Sequence, residues 1–362
     1  MSATELIAAG NAPAPDADHG PGAPASAGPG EPSGPGGPAA AGRPARRRGG
    51  WYVLRRLGEG VLVLWGTFTL AFALLQRLPG DAVSIRLGGE GATLSTEEIA
   101  RIRAEMGYDD PFLVRYWRDL VDLVQGDLGH SLFSGEPVVS AITRVVPHTA
   151  FIALVAVLLG GAVGLVLGSV AATTRSRRLR CVVLALPPLG VSIPTFAVAL
   201  VLIQVVAFSW RLLPSSGNDG LAAAILPILT LSLPVIATVT QIFTRSLDSV
   251  LAQGYVATAV TKGAGRRRVL LAHGLRNAAG PTLTVAGLIA GNLLAGAIVT
   301  ETVFAREGLG RLTVTAVTQR DMPLLQGIVL FAALVFVVIN ILVDLAYPLL
   351  DRRVRLEGER RW

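Results

Sequence analysis

Charge is scarce in this chain of 362 residues: 16% are Asp, Glu, Lys or Arg, against about 25% in a water-soluble domain. Hydrophobic residues make up 51%, and the mean hydropathy is +0.55. The charges that exist are clustered. Several windows of ~20 residues contain none, and that length spans a bilayer core of ~30 Å. This argues against a soluble globule with a large core. Cysteine is almost missing: Cys181 stands alone, which excludes an intramolecular disulfide, and it reads as a small buried hydrophobe. Lysine is as rare, with Lys262 the single one among 32 basic residues. The four histidines, His19, His130, His148 and His273, fall in unrelated places. No HExxH and no Cys/His cluster occurs, so no metal ligand set is expected. A GxxxxGK[ST] phosphate loop is missing as well, and KGAGRRR at 262–268 lacks its spacing. No Ser/His/Asp arrangement stands out. The chain therefore reads as a non-enzyme that binds no cofactor directly. Its net charge of +7 does not imply nucleic acid, because the arginines lie in short runs between apolar spans without interleaved aromatics for base stacking.

What the chain does have is a series of apolar spans. Residues 1–50 are Ala/Pro/Gly-rich, too poor in hydrophobic groups to fold, and are expected to be a disordered cytoplasmic tail. They hold no apolar h-region, so they are not a cleavable signal peptide. Six spans follow, at about 57–78, 147–171, 181–209, 221–243, 279–300 and 324–349. The segments that would share a side with the two termini hold 21 basic residues, and the intervening ones 11. By the positive-inside rule both termini, including the tail 351–362, are expected in the cytoplasm. The 79–146 segment is then an outer lobe. In it Ser95 with Glu98 forms a capping box, Asp110-Pro111 reads as an N-cap followed by the first helical residue, and Leu113, Tyr116, Trp117, Leu120 and Val124 recur at helical spacing. That stripe has three possible neighbours: the membrane, the lobe itself or a partner.

Gly160, Gly164 and Gly168 form a small-xxx-small ridge in the second span, and Gly287, Gly291 and Ala295 form another in the fifth. Such ridges let helices approach closely. Pro187, Pro188, Pro194, Pro227 and Pro234 mark kinks in the third and fourth spans. The middle four spans hold no Asp, Glu, Lys or Arg, and His148 falls at the very start of the second, whereas a proton- or sodium-driven carrier would more often keep an ionisable residue deep in a span. Glu59, Arg77 and Asp344 sit near span ends, within reach of interfacial water. An energy source is therefore expected outside this chain.

The loop between the fourth and fifth spans, 245–281, is the one expected to receive that input. Val256–Lys262 reads as a short helix of small residues that Gly263 closes. Gly254 is expected to end the helix before it. Ala257, Thr258, Ala259 and Gly263 resemble the signature by which ABC-importer permeases dock their ATPases, with Ala257 in place of the usual acid. Ala259, Lys262, Gly263, His273, Leu275, Arg276, Asn277 and Pro281 together look like the dipeptide/oligopeptide branch of that family. LPGDA at 78–82, the 106–132 stretch, ETVFAREGLG at 301–310, RDMP at 320–323 and VDLAYPLLDRRVR near the end are also similar to it, so the resemblance covers about 51–355.

The resemblance implies an all-α integral membrane protein of the type I ABC importer permease fold, with six transmembrane helices and a permease domain over 144–347. It implies a bacterial cell-membrane location. It implies a second homologous permease, two ABC ATPase subunits that bind ATP-Mg, and an extracytoplasmic substrate-binding protein, in a lipid bilayer and without nucleic acid. The coupling loop 245–277 would meet the ATPases through Tyr255, Ala257, Thr258, Ala259, Lys262, Gly263, Arg266, His273, Arg276 and Asn277. Tyr108, Asp110, Tyr116, Trp117 and Asp127 of the lobe would face the binding protein. The implied cargo is a di- or oligopeptide. Nickel complexes, haem or another small solute are the alternative, and a stand-alone channel or secondary carrier is the rival class.

Overall fold

The computed structural model describes residues 48–77, 97 and 110–350. The chain divides into two units, Met1–Arg48 and Gly49–Trp362, and the fold described here is that of the second. Residues 1–47 of the tail expected at 1–50, the capping box at Ser95, Tyr108 and the tail 351–362 lie outside the described residues, and residues 48–50 begin a helix.

The described residues are helical, with no strand and a single isolated bridge between His130 and Pro137. The long helix α1 runs over Arg48–Leu75, and α2 over Phe112–Gln125 in the lobe. Next come α3 at Val138–Thr173 and α4 at Arg177–Ser192. The helix α5, Thr195–Leu202, passes into a π-helical stretch at Ile203–Ser209. They are followed by α6 at Ala222–Leu251 and the short α7 at Gly254–Thr261. A second π-helical stretch, Val269–Leu275, leads into α8 at Arg276–Val303. The chain closes with α9 at Leu309–Gln319 and α10 at Met322–Leu350.

Among the described residues, four stretches are long and apolar enough to cross a membrane: Leu54–Leu75, Val138–Thr173, Ala222–Leu251 and Met322–Asp344. The chain is a multi-pass membrane protein. Helix α4, taken together with α5 and its π-helical extension, is also long and apolar enough, but the pair is bent by 102°, the geometry of a broken span or a re-entrant loop. The sequence treats 181–209 as one kinked span, and the structure breaks it instead. The cause is local. Pro194 forces Ile193 out of helical backbone, to φ −85° and ψ 123°, because its ring crowds the preceding residue. Pro187 and Pro188, and Pro227 and Pro234, stay inside continuous helices. Cys181 is exposed rather than buried, since it lies on the outward face of α4.

The centre of the fold is the packing of α3 against α6. It depends on the glycine ridge. A Cβ at Gly160 would meet Val235 at 2.6 Å, one at Gly164 would meet Val239 at 2.8 Å, and one at Gly168 would meet Phe243 at 2.9 Å. Each glycine thus admits a branched or aromatic side chain of α6 against the α3 backbone. Around this seam Ile152, Ala156, Leu231 and Leu293 form one buried cluster. We expect Gly164→Leu to split the seam, costing ~1–3 kcal/mol or more through overpacking. Gly161→Leu should be tolerated, because among the described residues nothing lies within 4 Å of a Cβ there. Size-exclusion profiles of the two variants in detergent check this. A monodisperse Gly164→Leu peak equal to wild type would refute it.

The charges near span ends do more than reach interfacial water. Arg56 pairs with Glu59 at 2.8 Å and with Asp344 at 3.0 Å, so α1 and α10 are joined by an ionic contact. In the lobe Pro111 itself occupies the N-cap of α2, one position later than expected for its helical entry, and Asp110 makes no cap bond. Asp110 instead accepts from Arg118 at 2.6 Å.

The apolar residues of α2 divide between two sides. Tyr116, Leu120 and Leu123 pack on Phe68 and Phe72 of α1. The other side leaves Leu113, Trp117 and Val124 exposed. Burial pushes the Asp119 carboxyl above its ordinary range, with Arg115 and Arg118 pulling it back.

Candidate functional site

The loop singled out by sequence is built at the end of the bundle where α6 runs beyond its apolar core. Phe243, Leu247 and Val250 of α6 remain buried there, against Ala278 and the flanking Leu270 and Leu275. Gly274 makes this approach possible, since a Cβ on it would meet Leu247 at 2.8 Å. The chain leaves α6 at Ala252 and starts α7 at Gly254, so Gly254 opens the next helix rather than closing the previous one.

α7 is held at both ends. Val256 is buried beneath it, and Asn277 Nδ2 donates to the Tyr255 hydroxyl oxygen at 2.9 Å. At its far end Gly263 takes φ +86°, donates to Val260 O at 2.9 Å, and is followed by Ala264 donating to Ala259 O at 3.0 Å. That pair of bonds is a Schellman cap, which needs left-handed backbone at this position and so favours glycine. Ala257, Thr258 and Lys262 are exposed, Ala259 is half-buried, and Val260 adds an outward apolar side chain. The result is a short helix with small side chains on its open face, fixed to the bundle through Tyr255 and the buried Val256. Arg266, His273 and Arg276 belong to the same segment, but their side chains lie outside the description.

A further tie at this end was not anticipated. Arg180 donates to Ala171 O at 3.2 Å and to Asp248 Oδ2 at 2.6 Å. It thereby joins the hairpin between α3 and α4 to the last turns of α6, next to α7. From sequence alone the arginine run is a topological signal, and Asp248, an acid in a basic segment, is the one clue to this tie.

The opposite end carries the lobe and a buried polar lock. Glu301, on α8, accepts from Thr149 Oγ1 at 2.6 Å and from the Gly310 N–H at 2.6 Å. Thr149 in turn accepts from the Leu309 N–H at 2.8 Å. Gly308 and Gly310 lie directly against the Glu301 carboxylate, where a Cβ has no room. Buried Arg306 donates to Gly217 O at 2.8 Å and to Ala223 O at 3.1 Å.

A second lock is fully buried Asp321, which accepts from Ser131 Oγ at 2.5 Å and from the Leu132 N–H at 3.2 Å. It also accepts from Leu324 N at 3.3 Å, capping α10. The ETVFAREGLG and RDMP stretches are therefore the fasteners between α3, α8, α9, α10 and the lobe.

Of the five lobe residues expected to face a binding protein, the four described ones have different surroundings. Tyr116 is turned inward onto Phe68 and Phe72, with its hydroxyl 2.9 Å from Thr69 Oγ1, because the first span offers it an aromatic floor. Trp117 is exposed, Asp110 is engaged by Arg118, and Asp127 accepts from the Gly129 N–H at 2.8 Å. Tyr108 is outside the described residues. Among the described residues no group of His, Cys, Asp and Glu is arranged to hold a metal ion.

Two family profiles match the chain. The first, described as the binding-protein-dependent transport system inner membrane component, covers residues 164–356. The second, described as the N-terminal part of the same membrane component, covers residues 51–153. The chain belongs to this family. It is 35% identical over 314 residues to a probable peptide ABC transporter permease protein, y4tP, of Sinorhizobium fredii, across 84% of this chain and 99% of that one. It is 37% identical over 313 residues to a putative peptide transport system permease protein of Brucella abortus, again across 84% and 99%. It is 34% identical over 335 residues to the dipeptide transport system permease protein DppB of Escherichia coli K12, across 84% and 98%. Among solved structures, an inward-facing form of the MetNI methionine ABC transporter matches with a TM-score of 0.51 at 16% identity, covering 58% of this chain and 95% of that one. The fold is that of an ABC importer permease.

Proposed function

We propose that this chain is the permease subunit of an ATP-driven importer of di- or oligopeptides, forming half of the translocation pathway. The observation that carries the reading is the relationship, over most of the chain, to permeases named for peptide transport. It favours peptides over nickel complexes or haem. The short helix α7, held at one end of the bundle by Val256 and by Asn277 on Tyr255, supports the role of a coupling element. In this reading two ABC ATPases bind ATP as its magnesium complex and hydrolyse it. The chain itself is not an enzyme and binds no cofactor. A second homologous permease completes the pathway, and an extracytoplasmic binding protein delivers the peptide to the lobe side.

The mechanism follows from a two-state equilibrium that nucleotide and loaded binding protein both bias. Closure of the ATPases displaces α7. The displacement passes through Tyr255–Asn277 to the start of α8, and through Asp248–Arg180 to the hairpin between α3 and α4. These contacts let α6, α8 and α3 move as packed units rather than by bending. The positive-inside bias supports a cytoplasmic position for α7 and both termini, in what this reading takes to be a bacterial plasma membrane. A tag at Trp362 should then be labelled only after the cells are permeabilised, and labelling of intact cells would overturn the orientation.

The direct test is copurification of the tagged chain from native membranes, with its partners identified by mass spectrometry. Two ATPases and a second permease are expected. A chain that purifies alone or as a homo-oligomer would favour the channel or carrier reading.

A further inference from the structure

The loop 304–310 is fastened far more tightly than a connector requires. Arg306 holds it to Gly217 and Ala223, Glu301 holds Gly310, and Thr149 holds Leu309. Asn218 grips Glu307 from both sides, its Oδ1 accepting from the Glu307 N–H at 2.9 Å and its Nδ2 donating to the Glu307 O at 3.0 Å. Ala305 is kept at φ +48°, a left-handed backbone that alanine rarely adopts. The two charged side chains flanking the lock, Glu307 and Arg311, are not part of it. Both residues line an open cleft of about 250 Å³, together with Arg144, His148 and Thr315.

The chemistry of this cleft is unusual for a chain so poor in charge. It gathers two guanidiniums, an imidazole and one carboxylate at the lobe end of the bundle. Arg144 shares its charge with Glu136 at 3.0 Å and is itself largely exposed. Arg311 gives one hydrogen bond, to Ala305 O at 3.2 Å, which leaves most of its five-donor fork for a ligand. Glu307 has no ion-pair partner within 4.0 Å among the described residues. A guanidinium fork suits a carboxylate, and the Glu307 carboxylate suits an ammonium. A rigid frame presenting both is what recognition of a small zwitterion needs, because little ordering remains to be done on binding.

We infer that the cleft lined by Arg144, His148, Glu307, Arg311 and Thr315 is a binding site for the charged termini of a short peptide. Arg311, with Arg144, takes the terminal carboxylate, and Glu307 takes the terminal ammonium. The inference rests on the proposed importer function, which places this end outside the membrane and makes the cleft a way-station between the binding protein and the pathway.

The test uses the copurified transporter complex without its binding protein, titrated calorimetrically with L-alanyl-L-alanine, its C-terminal amide and its N-acetyl derivative. Wild type should bind the free dipeptide saturably, in the millimolar range or tighter. Arg311→Gln should weaken that binding at least tenfold, and the amide should bind wild type as poorly as the dipeptide binds the variant. Glu307→Gln should weaken the dipeptide while leaving the N-acetyl derivative unchanged. Two results overturn the site: no saturable binding to wild type, or equal binding to wild type and Arg311→Gln. Either result obtained on a complex that still contains its ATPases and transports peptide removes this site alone. A chain that brings down no ATPase removes the importer reading as well.

Discussion

Glu301→Ala should lower the melting temperature of the purified chain by at least ~5 °C, the largest loss of stability expected from a single polar side chain here. The substitution strips two donors of their acceptor in a buried place, the Thr149 hydroxyl and the Gly310 N–H. Each buried group left unsatisfied costs about 1–3 kcal/mol. The threonine hydroxyl has an escape, since it can rotate toward a carbonyl of its own helix one turn back. The Gly310 N–H has none, because the loop is pinned on either side by Arg306 and by Leu309 on Thr149. The cavity left by the removed carboxylate adds to the loss. Glu301→Gln separates charge from shape. Its amide oxygen still accepts from Gly310, and its amide nitrogen can donate to Thr149, so this variant should keep most of the stability. A thermal melt followed by size exclusion in detergent checks both. If Glu301→Ala melts with wild type, the buried lock contributes nothing and the glycines around it need another explanation.

How much of this was readable beforehand depended on whether the signal was local. The ridge Gly160, Gly164, Gly168 was legible because small residues four apart have one structural use in an apolar helix, and the structure puts Val235, Val239 and Phe243 into it. The cap at Gly263 was legible for the same reason: it is set by backbone geometry within six residues. The break at Ile193–Pro194 was not, since a proline in an apolar run is compatible with a kink or a full turn, and Pro187, Pro188, Pro227 and Pro234 all stay inside continuous helices.

The lobe stripe shows the same limit. Helical spacing identifies Tyr116 as apolar-facing but does not say that Phe68 and Phe72 will be what it faces. Glu301 was the hardest to read. An acid at the end of a span looks like an interfacial group, and its partner Thr149 is 152 residues away. Long-range polar contacts leave no periodicity in a single sequence. The indirect trace was the pair Gly308 and Gly310, spaced to let backbone meet a carboxylate.

The second large effect is expected at Gly263. Gly263→Arg should abolish copurification of the ATPases, at least a tenfold loss, while the permease stays folded and inserted. Two costs are possible for a side chain there, and they point to different variants. One is strain. At φ +86° a non-glycine residue loses about 1–2 kcal/mol, enough to loosen the Schellman cap but not to remove α7, which is also held by Val256 and by Asn277 on Tyr255. The other is occupancy. Among the described residues nothing lies within 4 Å of a Cβ at Gly263, so a new side chain enters the space that a docked partner would fill. Gly263→Asn tests strain with little bulk, because asparagine tolerates left-handed backbone, and it should retain most of the ATPase. Gly263→Arg adds bulk and a second positive charge beside the exposed Lys262, at the end of a helix whose open face also carries Ala257, Thr258 and Val260. If both variants lose the ATPase equally, the cap itself is what the partner reads. If neither does, α7 is not the docking element, and the Arg180–Asp248 tie beside it becomes the place to look for the mechanical input.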